Sequence, residues 1–437
     1  IAPVTDTSRQ RQQKQLQQSL NQLERLTAEI DLRLGLLQAQ QGQRDKALKT
    51  WESLRQPLSR VVGAGFTQNR SEQTTSLNPP SWEQGRVIST EFVETADVLT
   101  GLWSNPPRLL PNAQQLIQSN LNGWFRYRAL SQLYQLQQRQ EALDTLFASE
   151  QEVAQQALLK LAIIGSIPAL GGTIGVGLLI YLLIQRLVKG KESVLAQNED
   201  VAWQTPWSGE TVWQVFILGF FLMGQILVPL ALSFLQLKPT GSSVRIQAFY
   251  VLVSYLLVAA GGLLVLYLSV KPFFPVPEGW FRFNWRSNWF LWGLGGYCVA
   301  LPLVVVVSLI NQQLWQGQGG SNPLLSLALE SQDRVALAIF FFTAAIAAPF
   351  FEEFLFRGFL LPSLTRYLPV WGAIVASSLL FAVAHLALSE ILPLTVLGIV
   401  LGVVYTRSRN LLAPMLLHSL WNSGTLLSLY ILGSGTT

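Results

Sequence analysis

The chain has 437 residues, of which 50% are hydrophobic and 13% charged, with a formal net charge of +5. That is too apolar for a soluble protein of this size, and the positive excess is spread over loops without a basic block, so nucleic-acid binding is excluded. Cys298 is the only cysteine, which rules out a disulfide framework or a thiolate cluster.

The apolar excess is uneven. Residues 1–156 are rich in Gln, Arg, Glu and Ser, whereas from Leu158 onward apolar runs dominate. The expected architecture is all-α: a soluble helical domain over 1–156, then a polytopic membrane domain over 157–437. The first residue is Ile1, which leaves room for a removed upstream segment carrying an export signal.

Within the soluble half, residues 1–60 and 112–156 carry helical periodicity with few breakers. Between them, 62–111 holds "SLNPPSW" and "SNPPRLLP" and reads as an irregular insert. The two helical blocks resemble each other: "LGLLQAQQGQRDKALKTW" (34–51) and "LSQLYQLQQRQEALDTLF" (130–147) share Leu positions, then Arg-x-x-Ala-Leu. The first resembles a tetratricopeptide repeat, with Gly35, Gly42, Ala47 and Trp51 where two helices touch and an aromatic plugs the seam. A generic amphipathic hairpin explains the same pattern. Neither block carries a catalytic constellation, so this domain is expected to dock a protein partner or present a substrate.

Eight runs approach the roughly 20 apolar residues that a bilayer core requires. They cover 158–185, 211–236, 246–270, 288–310, 335–361, 370–388, 391–406 and 411–432. The seventh is short, as expected for a tilted or partly re-entrant segment. Trp203, Trp207 and Trp213 flank the second run, and Trp280, Trp285 and Trp289 precede the fourth, as an interfacial aromatic belt. Odd loops hold nine cations (Arg186, Lys189, Lys191, Lys271, Arg282, Arg286, Arg366, Arg407, Arg409), and even loops hold three (Lys238, Arg245, Arg334). The positive-inside rule then places the odd loops in the cytoplasm and residues 1–156 outside it. The expected setting is a prokaryotic plasma membrane or another internal energy-transducing membrane.

The fifth run contains "FFEEFLFRGFLL" (350–361). Charges there are costly and point to function. Glu353 and Arg357 are four apart, share a helical face and can pair. Glu352, rotated by about 100°, faces elsewhere. One carboxylate is thus neutralised while the other stays free for chemistry; an ion pair fixing helix packing accounts for Glu353 and Arg357 but not Glu352. The chain's two histidines, His385 and His418, both fall in membrane runs. His385 ends "FAVAH", one turn after Phe381. His418 opens "HSLWN", with Asn422 one turn later, so that the pair presents two hydrogen-bonding groups to one point and the Asn can fix the imidazole tautomer. Counted from the cytoplasmic ends, these groups lie roughly 10 to 23 Å deep at ~1.5 Å per residue, with His385 the deepest.

"EEFLFR", "FAVAH" and "HSLWN" match, in order, Glu-Glu-x-x-x-Arg, Phe-x-x-x-His and His-x-x-x-Asn. The chain therefore resembles the CPBP family (CAAX proteases and bacteriocin-processing or Abi proteins), over residues 335–432. The resemblance implies a glutamate-dependent intramembrane endopeptidase acting on a membrane protein or peptide. Glu352 would be its catalytic base, with His385 holding the water and His418 and Asn422 stabilising the oxyanion. Glu353 and Arg357 would support them, and no cofactor is implied. Three alternatives remain open: a zinc protease built on Glu352, His385 and His418, a non-proteolytic scaffold that docks partners through 1–156, and a transporter or proton relay.

Overall fold

The computed structural model describes residues 6–54, 90–235, 243–315 and 333–433. Every extended element among them is helical. Two compact units divide the chain, 1–156 and 157–437, and the division falls inside one helix, Gln140–Lys189.

The first unit contains α1 (Asp6–Gln40), α2 (Arg44–Ser53), α3 (Thr90–Trp103), α4 (Ala113–Asn120), α5 (Gly123–Leu136) and the start of α6 (Gln140–Lys189). Its centre is Trp51, fully buried among Leu32, Leu36, Leu99 and Leu133. The indole Nε1 donates to the Leu32 carbonyl at 3.2 Å. Gly35 lies directly against that ring, where any Cβ would collide with it. This is the close helix approach that both the tetratricopeptide and the generic-hairpin readings require.

The irregular insert expected over 62–111 is corrected in part. Residues 62–89 lie outside the described residues, but Thr90–Trp103 is a helix. Phe92, Ala96, Leu99 and, on the adjoining row, Val98 and Leu102 recur at helical spacing and are buried. The Ser, Thr, Gly and Pro around this stretch dilute that signal. Beyond it, the irregular reading of "SNPPRLLP" agrees with the non-helical course of 104–110.

The second unit continues α6 and adds α7 (Gly209–Phe234), α8 (Val244–Val270), α9 (Trp289–Trp315), α10 (Arg334–Leu364), α11 (Val370–Ala384), α12 (Ile391–Ser408) and α13 (Leu412–Gly433). Of the eight expected spans, six helices among the described residues are long and apolar enough to cross a membrane, including the seventh run. The sixth run is a 15-residue helix, Val370–Ala384. The eighth is 22 residues long, but His418, Ser419, Asn422, Ser423 and Thr425 dilute its apolarity. The protein is an integral membrane protein.

Three widened, π-helical stretches interrupt these helices: Val215–Leu227, Thr343–Ala347 and Phe354–Leu360. In each case a proline follows at once, Pro229, Pro349 and Pro362. A helical proline has no N–H to donate and clashes with the carbonyl four residues back, and wider hydrogen-bond spacing upstream relieves both problems. Hydrophobic runs alone do not reveal these widenings. In α10 the glutamates sit on the short α-helical stretch Ala348–Glu353, between two such widenings.

Packing around this stretch is tight. Gly398 of α12 lies so close to Ser378 of α11 that a Cβ would sit 2.8 Å from the Ser378 Cβ. Phe351, Phe356, Phe359 and Phe381 belong to one buried cluster with Trp207 and Tyr405.

Candidate active site

Glu353 is fully buried, and its Oε1 accepts from Arg357 Nη1 at 2.8 Å. The same oxygen lies 2.8 Å from His418 Nδ1. Arg357 also donates to the Gly398 carbonyl at 3.1 Å, and its guanidinium covers the Phe381 ring at 4.5 Å. Glu353 Oε1 is therefore shared by Arg357 and His418, and through the Arg357–Gly398 bond the junction ties α10, α12 and α13 together. A carboxylate on Nδ1 requires a proton there, which leaves the lone pair on Nε2 in neutral His418.

His385 reaches the same place by a different route. Helix α11 ends at Ala384, so His385 is its C-cap, and Leu386 then turns the chain with φ +55. His385 Nδ1 lies 2.8 Å from the Phe381 carbonyl and donates to it, so its Nε2 also carries the lone pair. The helix that carries His385 is short and starts directly after Pro369. Phe381 packs edge-on against both imidazoles, with ring centroids 4.7 Å and 5.8 Å away.

Both Nε2 atoms face Glu352: each lies 4.0 Å from its Oε2. That oxygen is buried without a hydrogen-bond partner. The other, Oε1, accepts from Tyr255 Oη at 3.3 Å. Tyr255 stands on α8, 97 residues upstream, and no motif in the sequence singles it out.

A water ~2.8 Å from each of two polar atoms 4.0 Å apart would subtend an angle of about 90°, an ordinary geometry for one donor between acceptors. Zinc, bound at ~2.0–2.1 Å, would draw the same atoms to roughly 3.3 Å apart. Among the described residues, no group of three His, Cys, Asp or Glu is arranged to hold a metal ion.

Asn422 behaves differently from the expectation. Its Nδ2 donates to the Ala344 carbonyl at 2.7 Å, and Glu353, not Asn422, fixes the His418 tautomer. The π-helical stretch explains why. Ala348 N–H reaches back to Thr343, and Pro349, next in line to serve Ala344, has no N–H. Asn422 fills that vacancy with one N–H and keeps a second to offer.

Glu352 and His385 also line a cleft of about 450 Å³ between α7 and α8, walled mainly by apolar groups such as Phe220, Val228, Tyr250 and Phe356. A half-buried carboxylate thus stands with two imidazoles at the edge of an apolar cleft in a helical membrane domain. Residues 334–424 match the family model of type II CAAX prenyl endopeptidase Rce1-like proteins. The membrane-embedded CAAX protease MroQ of Staphylococcus aureus (strain USA300) is 25% identical over 214 residues, 48% of this chain and 83% of that protein. The putative membrane peptidase YdiL of Bacillus subtilis (strain 168) is 25% identical over 133 residues, 30% of this chain and 53% of its own length. No solved structure matches the chain. These matches make the membrane domain similar to CPBP-family membrane proteases, with the family model confined to residues 334–424.

Proposed function

We propose that the protein is a glutamate-dependent intramembrane endopeptidase that hydrolyses an amide bond in a membrane-associated protein or peptide. One observation carries this reading: the buried, unpartnered Oε2 of Glu352 faces two imidazole Nε2 atoms at 4.0 Å. Water held there by His385 gives a proton to Glu352 as its oxygen attacks the scissile carbonyl carbon. His418 enters this step as the imidazolium, its second proton taken from solvent onto Nε2, so the oxyanion that forms accepts hydrogen bonds from His418 Nε2–H and from the second N–H of Asn422. The Glu353 carboxylate at Nδ1 balances the imidazolium charge on His418. Collapse of the intermediate breaks the C–N bond, and Glu352 returns the proton to the departing amine. No metal or other cofactor takes part.

Residues 1–156, a tetratricopeptide-like domain in this reading, bind a protein partner on the extracytoplasmic side of a prokaryotic plasma membrane or an equivalent energy-transducing membrane. An exposed apolar row on α1 (Leu20, Leu23, Ile30, Leu34 and Leu37) supports such docking. It equally supports the second reading, a scaffold without proteolytic activity.

Membrane proteomics with capture of new N-termini, comparing wild type with Glu352→Gln in the native host, tests the proposal. Cleaved termini that disappear while uncleaved precursors accumulate are expected. Identical terminal profiles, with partner recovery also unchanged, would support the scaffold.

A further inference from the structure

Away from the site, the second unit holds a larger cleft, about 600 Å³, between α6, α9 and α12. Its wall is dry, formed by side chains such as Leu179, Leu183, Leu291, Val299 and Val403. At Gly295 the wall is bare backbone, where an added Cβ would meet nothing within 4 Å.

Polarity is confined to one end. On α6 the lining residues Leu182 and Leu183 are followed within a turn by Arg186, then by Lys189 and Lys191. The chain then turns so that Val194, Leu195 and Gln197 close the cleft, and Asn288 adds a second amide beside them. Arg186 is engaged by Glu199 at 2.7 Å, whereas Lys189 and Lys191 are exposed. Arg407 is 1% exposed; its guanidinium lies over the lining residue Trp371 at 5.1 Å, and its Nε donates to the Leu195 carbonyl at 2.6 Å. Its Nη2 has no partner. In the segments that meet at this end, Arg186, Lys189, Lys191, Arg286, Arg407 and Arg409 outnumber Glu192, Glu199 and Asp200.

We propose that this cleft is a binding site for one anionic phospholipid of the surrounding bilayer. An acyl chain fills the space over Gly295, and the phosphate group rests at the Lys189–Lys191 rim. The volume is that of an ordinary small-ligand site. Basic rims beside clefts between membrane helices favour anionic headgroups, and a dry wall with a cationic end selects an amphiphile over a wholly apolar or wholly polar ligand. The site is separate from Glu352 and its cleft, since the two share no lining residue.

The test uses the full chain in nanodiscs containing phosphatidylglycerol with a photoreactive group in its acyl chain, and maps the cross-linked peptides. Saturable labelling within 178–183, 291–303 and 399–404 is expected, competed by unlabelled phosphatidylglycerol and not by phosphatidylcholine. Gly295→Leu should abolish that labelling. The exposed pair Lys189→Ala and Lys191→Ala, which leaves the packed helices untouched, should weaken competition by phosphatidylglycerol about thirtyfold. Equal competition by phosphatidylcholine, labelling unchanged in the lysine variant, or free fatty acid competing as well as phosphatidylglycerol overturns the assignment.

Discussion

Removing the Glu353 carboxylate tests the junction it forms. Glu353 and Arg357 are 0% and 1% exposed, so Glu353→Ala leaves a buried guanidinium without its ion-pair partner, held by the Gly398 carbonyl and the Phe381 ring and, at longer range, by the Glu352 charge. Breaking a buried pair by removing one partner costs about 3–5 kcal/mol. For a domain of this length, that is a fall in Tm on the order of 10 °C. His418 Nδ1 loses its acceptor in the same step. Glu353→Gln combined with Arg357→Met removes both charges and leaves His418 an amide oxygen, so it should regain more than half of the loss. Cys298 is buried at 8% exposure and is the only cysteine. A thiol-reactive dye therefore reports unfolding of the membrane domain directly, in detergent, without a substrate. If Glu353→Ala melts within about 2 °C of wild type, or the double variant is no more stable than the single one, the junction does not carry the load assigned to it.

Asn422→Ala should leave the Ala344 carbonyl unsatisfied and cost about 1–3 kcal/mol in the same dye assay, and Asn422→Asp, which offers no N–H to that carbonyl, should not restore it. Tyr255→Phe keeps the ring against Phe351 and removes only the donor to Glu352, so Tm should hold while cleavage of an identified substrate falls several-fold. Incubation with a strong chelator, followed by elemental analysis, should leave activity unchanged and find no stoichiometric zinc; loss of zinc and activity together would revive the metalloprotease alternative.

Several contacts were legible from spacing alone. The i, i+4 separation of Glu353 and Arg357 announced their pair, and the different direction of Glu352 announced a second environment. The chain's two histidines do converge on Glu352. What was hidden depends on backbone geometry that hydrophobicity does not encode. Pro349 and Pro362 were visible, but their consequence is an altered ladder in α10, and the Ala344 vacancy that Asn422 fills follows only from that ladder. The Tyr255 contact joins residues 97 apart with no motif between them. Sharing of Glu353 Oε1 between Arg357 and His418 needs α10 and α13 packed together, which single-helix periodicity does not supply. The Thr90–Trp103 helix was masked because its composition was averaged with that of a Pro- and Ser-rich neighbourhood.

The most direct measurement compares Glu352→Gln with wild type for both cleavage rate and thermal stability, in one preparation, on a substrate identified by its missing terminus. The amide preserves shape and the Tyr255 contact but cannot take a proton from water. The account predicts a loss of roughly 10²–10⁴-fold or more in rate with Tm essentially unchanged. Wild-type cleavage by Glu352→Gln, with the variant folded and the substrate processed at the same bond, would contradict it.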